Sequence, residues 1–284
     1  MTVSELTLTS TVEVPNSRAP LLRPNIGFGV YQSPPGVCKQ SCLAALQFGY
    51  RQIDTAQYYE NEAEVGEAVR ESGIPREEVF ITTKVMSPRG SVEKTLERCR
   101  QSVKEIGLGY VDLFLIHTPS SGPKGRKELW QALEKLLEEG GTKAIGVSNY
   151  GVRHLEEMKT YSTTMPVSNQ IELHVQCQQR PIVEYCKKNG IQVEAYCPLA
   201  RGKFLDDPII TKLAKEHNVT PAQVLIRWIL QHEYIPLPKS DNPRRIKENA
   251  DVYHFELSPS EMEVLDALDL GIKGAIVPQN TEFP

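Results

Sequence analysis

Four ionisable side chains in the first half of the chain have the types and order for acid–base chemistry: Asp54, Tyr59, Lys84 and His117. A phenol such as Tyr59 has a reference pKa near ~10, too weak an acid to protonate an alkoxide readily at neutral pH. A lysine ammonium beside its oxygen lowers that value by favouring phenolate. Asp54 could hold Lys84 in place and compensate its burial. A neutral His117 could donate from one ring nitrogen to a carbonyl oxygen and orient it. Taken singly, each residue has a plainer role: Asp54 capping a turn, Tyr59 a half-buried loop aromatic, Lys84 a solvated strand end, His117 a satisfied core histidine. Together they describe a carbonyl-polarising site without a metal. No covalent nucleophile and no zinc-ligand spacing accompany them, so the hydride must come from outside the chain.

These residues can meet only if their carriers are brought to one rim, and a repeating unit provides that. A short apolar strand, a polar loop and an amphipathic helix recur along the chain. Strands are expected at 26–31, 50–54, 79–84, 111–116, 143–147, 167–171, 191–196 and 234–237. Helices are expected at 37–48 and 61–72, and another carries Val92, Leu96, Cys99, Val103 and Ile106 at helical spacing. The run Val111-Asp112-Leu113-Phe114-Leu115-Ile116 reads as a buried parallel strand. The helix after it carries Leu129, Leu133 and Leu136 and stops at Gly140-Gly141. Thr220-Pro221 opens a helix, and Ser258-Pro259-Ser260-Glu261 is a capping box that starts a last one.

Residues 1–25 look like an opening hairpin, with Leu6, Leu8, Val12 and Val14 alternating and Pro15-Asn16-Ser17 as its turn. Eight units without a linker predict an α/β fold, a single (β/α)8 barrel over 1–284 with an N-terminal β-hairpin and extra C-terminal helices. A doubly wound sheet is the rival. It would be expected to carry a Gly-rich fingerprint, whereas Gly27-Phe28-Gly29 lacks the third glycine and the following helix. In a barrel, functional residues fall just after strands. Asp54, Lys84, His117, Ser148-Asn149, Gln170, Tyr196 and Lys239 all lie at or near such ends.

Composition narrows the classes further. A chain of 284 residues buries enough surface to need no staple, and a net charge of -4 gives no reason to expect nucleic acid. There is no basic-then-apolar leader and no run long enough to cross a bilayer, so a soluble cytoplasmic monomer is expected. The six cysteines (38, 42, 99, 177, 186 and 197) lack CxxC or CxxH spacing and read as small hydrophobes, with no metal site.

From Gly27 to about Leu268 the chain resembles the aldo-keto reductase superfamily. The matching segments are 27–32, Asp54-Thr55-Ala56-Gln57-Tyr58-Tyr59-Glu60-Asn61-Glu62, 81–84, 112–117, 146–150, 197–199 and 238–240. The resemblance implies a catalytic tetrad of Asp54, Tyr59, Lys84 and His117, with Tyr59 rather than Tyr58 as general acid. It implies NADPH/NADP+ bound across the rim without a Rossmann domain. Ser148, Asn149 and Gln170 match positions that hold the carboxamide, Tyr196 the ring that stacks on the nicotinamide, and Leu199 a further cofactor position. Lys239, Ser240 and Arg245 match a 2′-phosphate pocket, and Glu248 and Asn249 the adenine end. A hydroxyl and two cations near a helix start also make a phosphate site on chemical grounds, although a solvated basic loop reads the same way.

Tyr31, Met86 and Thr118 fall at substrate-pocket positions. Many relatives carry Trp at the last two, so the pocket here is expected to be wider. The tail 277–284 is abbreviated, and substrate choice is unreadable from it. The expected activity is NADPH-dependent reduction of a small-molecule aldehyde or ketone. The alternatives are a non-catalytic NADP(H)-sensing subunit of the same fold, and a barrel lyase or isomerase, which needs rim carboxylate or His clusters that the sequence lacks.

Overall fold

The computed structural model describes residues 6–15, 17 and 19–280. β1 (Thr11–Glu13) and β2 (Leu22–Pro24) pair antiparallel, forming the expected hairpin. Its return strand lies inside a Pro- and Arg-rich run that follows the expected turn, and the Asn16 of that turn lies outside the described residues.

Eight parallel strands follow: β3 (Phe28–Gly29), β4 (Gln52–Asp54), β5 (Phe80–Val85), β6 (Val111–Ile116), β7 (Thr142–Ser148), β8 (Ser168–Glu172), β9 (Gln192–Tyr196) and β10 (Ile235–Pro236). They form one curled sheet in chain order. The crossovers are α1 (Val37–Gln47), α2 (Glu62–Ser72), α3 (Val92–Ile106), α4 (Gly122–Glu138), α5 (Val152–Met158), α6 (Arg180–Lys188) and, before β10, α7 (Pro208–Glu216) and α8 (Pro221–Gln231); α9 (Pro243–Ala250) and α10 (Pro259–Asp266) come last. This is an α/β architecture of the (β/α)8 kind.

The outer strands are shorter than expected at 26–31 and 234–237. β3 and β10 share no ladder, but Gly27 N donates to Pro236 O and Gly29 N to Pro238 O, both at 3.0 Å. Pro236 and Pro238 have no N–H to return, so bonding across this seam runs one way. The extra helices also differ from expectation. One of them, α7, is inserted between β9 and β10 rather than at the C-terminal end. Its start carries a legible signal: the Asp207 side chain accepts from Ile209 N and Ile210 N, and Pro208 opens the first turn.

Side-chain alternation along the strands divides two apolar layers. The main core lies between strands and helices and includes Ile81, Leu96, Trp130, Ile145 and Trp228. A second cluster, on the sheet's inner face, groups Phe80, Leu113, Leu115, Ala144 and Val167 with Val14 beside the hairpin. The hairpin therefore packs against the inside of the sheet, opposite the strands' C-terminal ends. The helices sit close: a Cβ on Gly66 of α2 would lie 1.7 Å from Ile106 O at the end of α3, so only glycine fits there.

Candidate active site

The strand ends bring the acid–base residues together as their spacing requires. Lys84 is on the same face of β5 as Phe80 and Thr82, and is fully buried. Its Nζ donates to Asp54 Oδ1 at 2.5 Å, to Thr55 O at 2.9 Å and to Tyr59 Oη at 3.2 Å. Three partners satisfy its three donors. Tyr59 is delivered by a 3-10 turn, Gln57–Tyr59, which ends at Glu60 in the left-handed region (φ 56). Asn61 ties that turn down, accepting from Thr55 Oγ1 at 2.6 Å and donating to Val30 O at 3.0 Å. The neighbouring phenol, Tyr58, is 58% exposed and makes no such contact with Lys84.

His117 follows β6, with its ring edge-on to Tyr59 at 5.6 Å between centroids. Burial, with the Lys84 charge beside it, lowers its pKa to about 3, so the ring is neutral at physiological pH. A neutral imidazole can donate from one nitrogen, as carbonyl orientation needs. Burial works against the Lys84 ammonium, but Asp54 and Tyr59 outweigh it and its pKa is raised. Burial raises Asp54 against the pull of Lys84.

Tyr59 departs from the expectation of a more acidic phenol. Lys84 does favour its phenolate, but burial outweighs that pull and its pKa is pushed up to about 12. The ammonium lies beside the phenol oxygen, but the cost of placing a phenolate at the floor of the cavity exceeds its effect.

The charge pair continues inward. Gln170 Nε2 donates to Asp54 Oδ2 at 2.8 Å and to Glu194 Oε2 at 3.1 Å. Glu194 in turn meets Arg23 Nη2 at 2.5 Å, and Arg23 Nε reaches Gln52 Oε1 at 3.1 Å. Burial disfavours the Glu194 charge, yet Arg23 holds its pKa below the usual carboxylate value. Neither Arg23 nor Glu194 stood out in the sequence. A carboxylate in the middle of a buried strand was the available signal, since such a group needs a partner.

One cavity of about 1390 Å³ opens above these residues. Every candidate site residue read from the sequence lines it except Lys84, which lies beneath: Tyr31, Met86 and Thr118 are there with Asp54, Tyr59 and His117, as are Ser148, Asn149, Gln170, Tyr196, Leu199, Lys239, Ser240, Arg245, Glu248 and Asn249. Its size exceeds the ~300–1,000 Å³ usual for a drug-sized ligand. Ser148 Oγ donates to Gln170 O at 2.8 Å, Asn149 Nδ2 to His117 O at 3.0 Å, and Tyr196 Oη to Asn149 Oδ1 at 2.9 Å.

At the far end, Asn242 caps α9, its Oδ1 accepting from Arg244 N at 2.9 Å and Arg245 N at 3.4 Å. Arg245 Nε reaches Ser240 Oγ at 3.4 Å, and Lys239 pairs with Asp241. The lining also includes residues to which the sequence assigns no site role: Cys197, Arg201, Val277, Gln279 and Asn280. Residues 281–284 of the tail lie outside the described residues. Among the described residues no cluster of His, Cys, Asp or Glu could hold a metal, and no helix is long and apolar enough to cross a membrane.

The long cavity, a buried Lys–Tyr pair at one end and hydroxyl, amide and guanidinium groups at the other form a donor set that suits an extended phosphorylated dinucleotide. That is the arrangement of an oxidoreductase built on a barrel. The chain belongs to the aldo/keto reductase family, whose profile matches residues 39–270, and it is an NADP(H)-dependent oxidoreductase of that family. It is 45% identical to the glyoxal reductase of Bacillus subtilis, covering 87% of this chain and 89% of that one. It is 43% identical to the oxidoreductase YtbE of the same organism, covering 92% and 94%. Its structure resembles Bombyx mori aldo-keto reductase in complex with NADP, with a TM-score of 0.87 and 28% identity over 98% of this chain and 99% of that one.

Proposed function

We propose that this chain, acting as one catalytic unit and as a monomer, reduces an aldehyde or ketone to the alcohol, with Tyr59 as the general acid. The observation that carries the reading is the 3.2 Å contact between Tyr59 Oη and a fully buried Lys84 that is itself held by Asp54. Bound NADPH supplies the hydride equivalent that the carbonyl carbon gains. Tyr59 gives its Oη proton to the carbonyl oxygen, and Lys84 stabilises the phenolate left behind until solvent restores the proton. Asp54 keeps the ammonium in place. His117 orients the carbonyl oxygen by donating one hydrogen bond, and contributes no proton because its ring stays neutral.

The family resemblance assigns the coenzyme's positions, and the cavity lining is compatible with them. Ser148, Asn149 and Gln170 would hold the carboxamide, and Gln170 could offer its oxygen because its amide nitrogen already serves Asp54 and Glu194. Tyr196 provides the flat ring, Leu199 an apolar contact, Lys239, Ser240 and Arg245 the 2′-phosphate pocket, and Glu248 and Asn249 the adenine end. Tyr31, Met86 and Thr118 border the substrate. A subunit that only sensed nucleotide would have no use for a buried ammonium under a phenol.

Replacing Tyr59 by Phe tests the central role. Turnover should fall by roughly 10²–10⁴, the usual contribution of a positioned acid, while NADPH affinity measured by fluorescence titration stays nearly unchanged. Full activity in that variant would refute the assignment.

A further inference from the structure

Part of the cavity wall is formed by the chain's last described segment, 276–280, through Val277, Gln279 and Asn280. A terminal segment is ordinarily loose unless something ties it down. Here the tie is a carboxylate. Glu172, the last residue of β8, is fully buried, and its two oxygens accept from the backbone N–H of Ile276 and, at 2.8 Å, of Val277. His174 Nε2 lies 3.0 Å from Glu172 Oε1, so imidazole and backbone share the same oxygen.

A second feature on the preceding turn acts in the same sense. Leu270 N donates to Gln176 O at 3.0 Å, and a Cβ on Gly274 would lie 1.9 Å from that same oxygen. The segment therefore comes down onto the loop after β8 so closely that no side chain fits at 274. Beyond the clamp, Asn280 Nδ2 reaches Tyr196 Oη at 3.5 Å, which joins the wall to the ring above β9.

We propose that Glu172, with Gly274, is a positioning element for the substrate end of the cavity, fixing segment 276–280 as the wall that selects among carbonyl compounds by the bulk beyond the carbonyl. This rests on the reductase reading for its substrate class. The clamp itself does not depend on that reading. A charge-assisted pair of hydrogen bonds from one carboxylate to two consecutive amides is among the stronger non-covalent ties a loop can have. A two-carbon dialdehyde carries only a second carbonyl beyond the reacting one, whereas an aryl aldehyde carries a whole ring there, so the wall should matter to the second and little to the first.

The test uses two variants that loosen the wall by different routes, Glu172→Ala and Gly274→Ala. In the free protein, hydrogen exchange at the amides of Ile276 and Val277 should speed up at least roughly tenfold in Glu172→Ala, as expected when local opening becomes easier by the equivalent of about 1.4 kcal/mol. Gly274→Ala should show the same direction of change. With NADPH, kcat/KM for 4-nitrobenzaldehyde should fall about tenfold in both variants while that for glyoxal stays within about twofold. The NADPH dissociation constant should not move. Unchanged exchange in both variants, or equal losses for the two aldehydes, would overturn the proposal. If Glu172→Ala does not fold, Gly274→Ala decides alone, since it leaves the buried carboxylate intact. If the wild type reduces neither aldehyde, the reductase reading fails, and the exchange rates still judge the clamp.

Discussion

At the Tyr59 end of the cavity the charges are locked inside the sheet; at the Arg245 end they stand near solvent. Two buried ion pairs, Lys84–Asp54 and Arg23–Glu194, are joined by Gln170, and their side chains are between 0% and 4% exposed. Around α9, Arg244 is 86% exposed and its partner Glu248 32%. The difference is one of preorganisation. A buried ion pair is weak evidence of net stability, but losing one member leaves an uncompensated charge where water cannot reach it. An exposed pair contributes ~0–1 kcal/mol and can reorient toward a ligand at little cost. The buried end is suited to holding protons at fixed atoms, and the open end to admitting and releasing a phosphorylated group.

The largest expected effect that could break this contrast comes from Arg23. Arg23→Met leaves Glu194 buried without its partner and should destabilise the protein by about 3–5 kcal/mol, measured by urea unfolding. Adding Glu194→Leu should recover most of that loss. A loss below ~1 kcal/mol in the single variant would mean that the buried pair behaves like the surface one.

His117 gives an intermediate effect, readable in pH. Its pKa is about 3 when folded against 6.5 for the free side chain. Below pH ~6.5 the unfolded chain therefore binds a proton that the folded one refuses, and stability contributed by the neutral ring is lost as pH falls toward 3. Between pH ~6.5 and ~5 the loss should be on the order of 2 kcal/mol, and His117→Gln should not show it in parallel thermal melts. Identical acid sensitivity in the two proteins would mean that the ring is not held neutral by its surroundings.

The smallest effect belongs to the open end. Arg245→Ala should raise the dissociation constant for NADPH about tenfold and leave that for NADH nearly unchanged, as expected when one charge-assisted contact is removed. Equal weakening of both coenzymes would remove Arg245 from the 2′-phosphate site.

Most of this arrangement is legible before folding because it depends on local signals. The apolar run at 111–116 becomes β6, and the Thr220-Pro221 start and the Ser258 capping box open α8 and α10 where the sequence places them. The rim residues follow from their position at strand ends. The Arg23–Glu194 contact is illegible for a physical reason: its partners lie 171 residues apart, and Arg23 sits in a Pro-rich run that reads as surface. The acidity of Tyr59 is misread for another. Its sign is a difference between burial and the Lys84 charge, and sequence reveals the charge but not the depth. The anchoring of Val277 by Glu172 spans 105 residues and uses a backbone donor, so no side-chain pattern announces it.

Asp241 has a consequence for how the open end meets a phosphate. Although partial burial pulls the other way, hydrogen bonds from Lys239, Ser33 and Ser41 keep its carboxyl below the ordinary value, so it remains an anion throughout the physiological range. On the proposed assignment, an arriving phosphate meets a loop whose lysine is already paired with an anion. The attraction it feels at long range is smaller than a count of basic residues suggests, and dissolved salt has correspondingly little to screen.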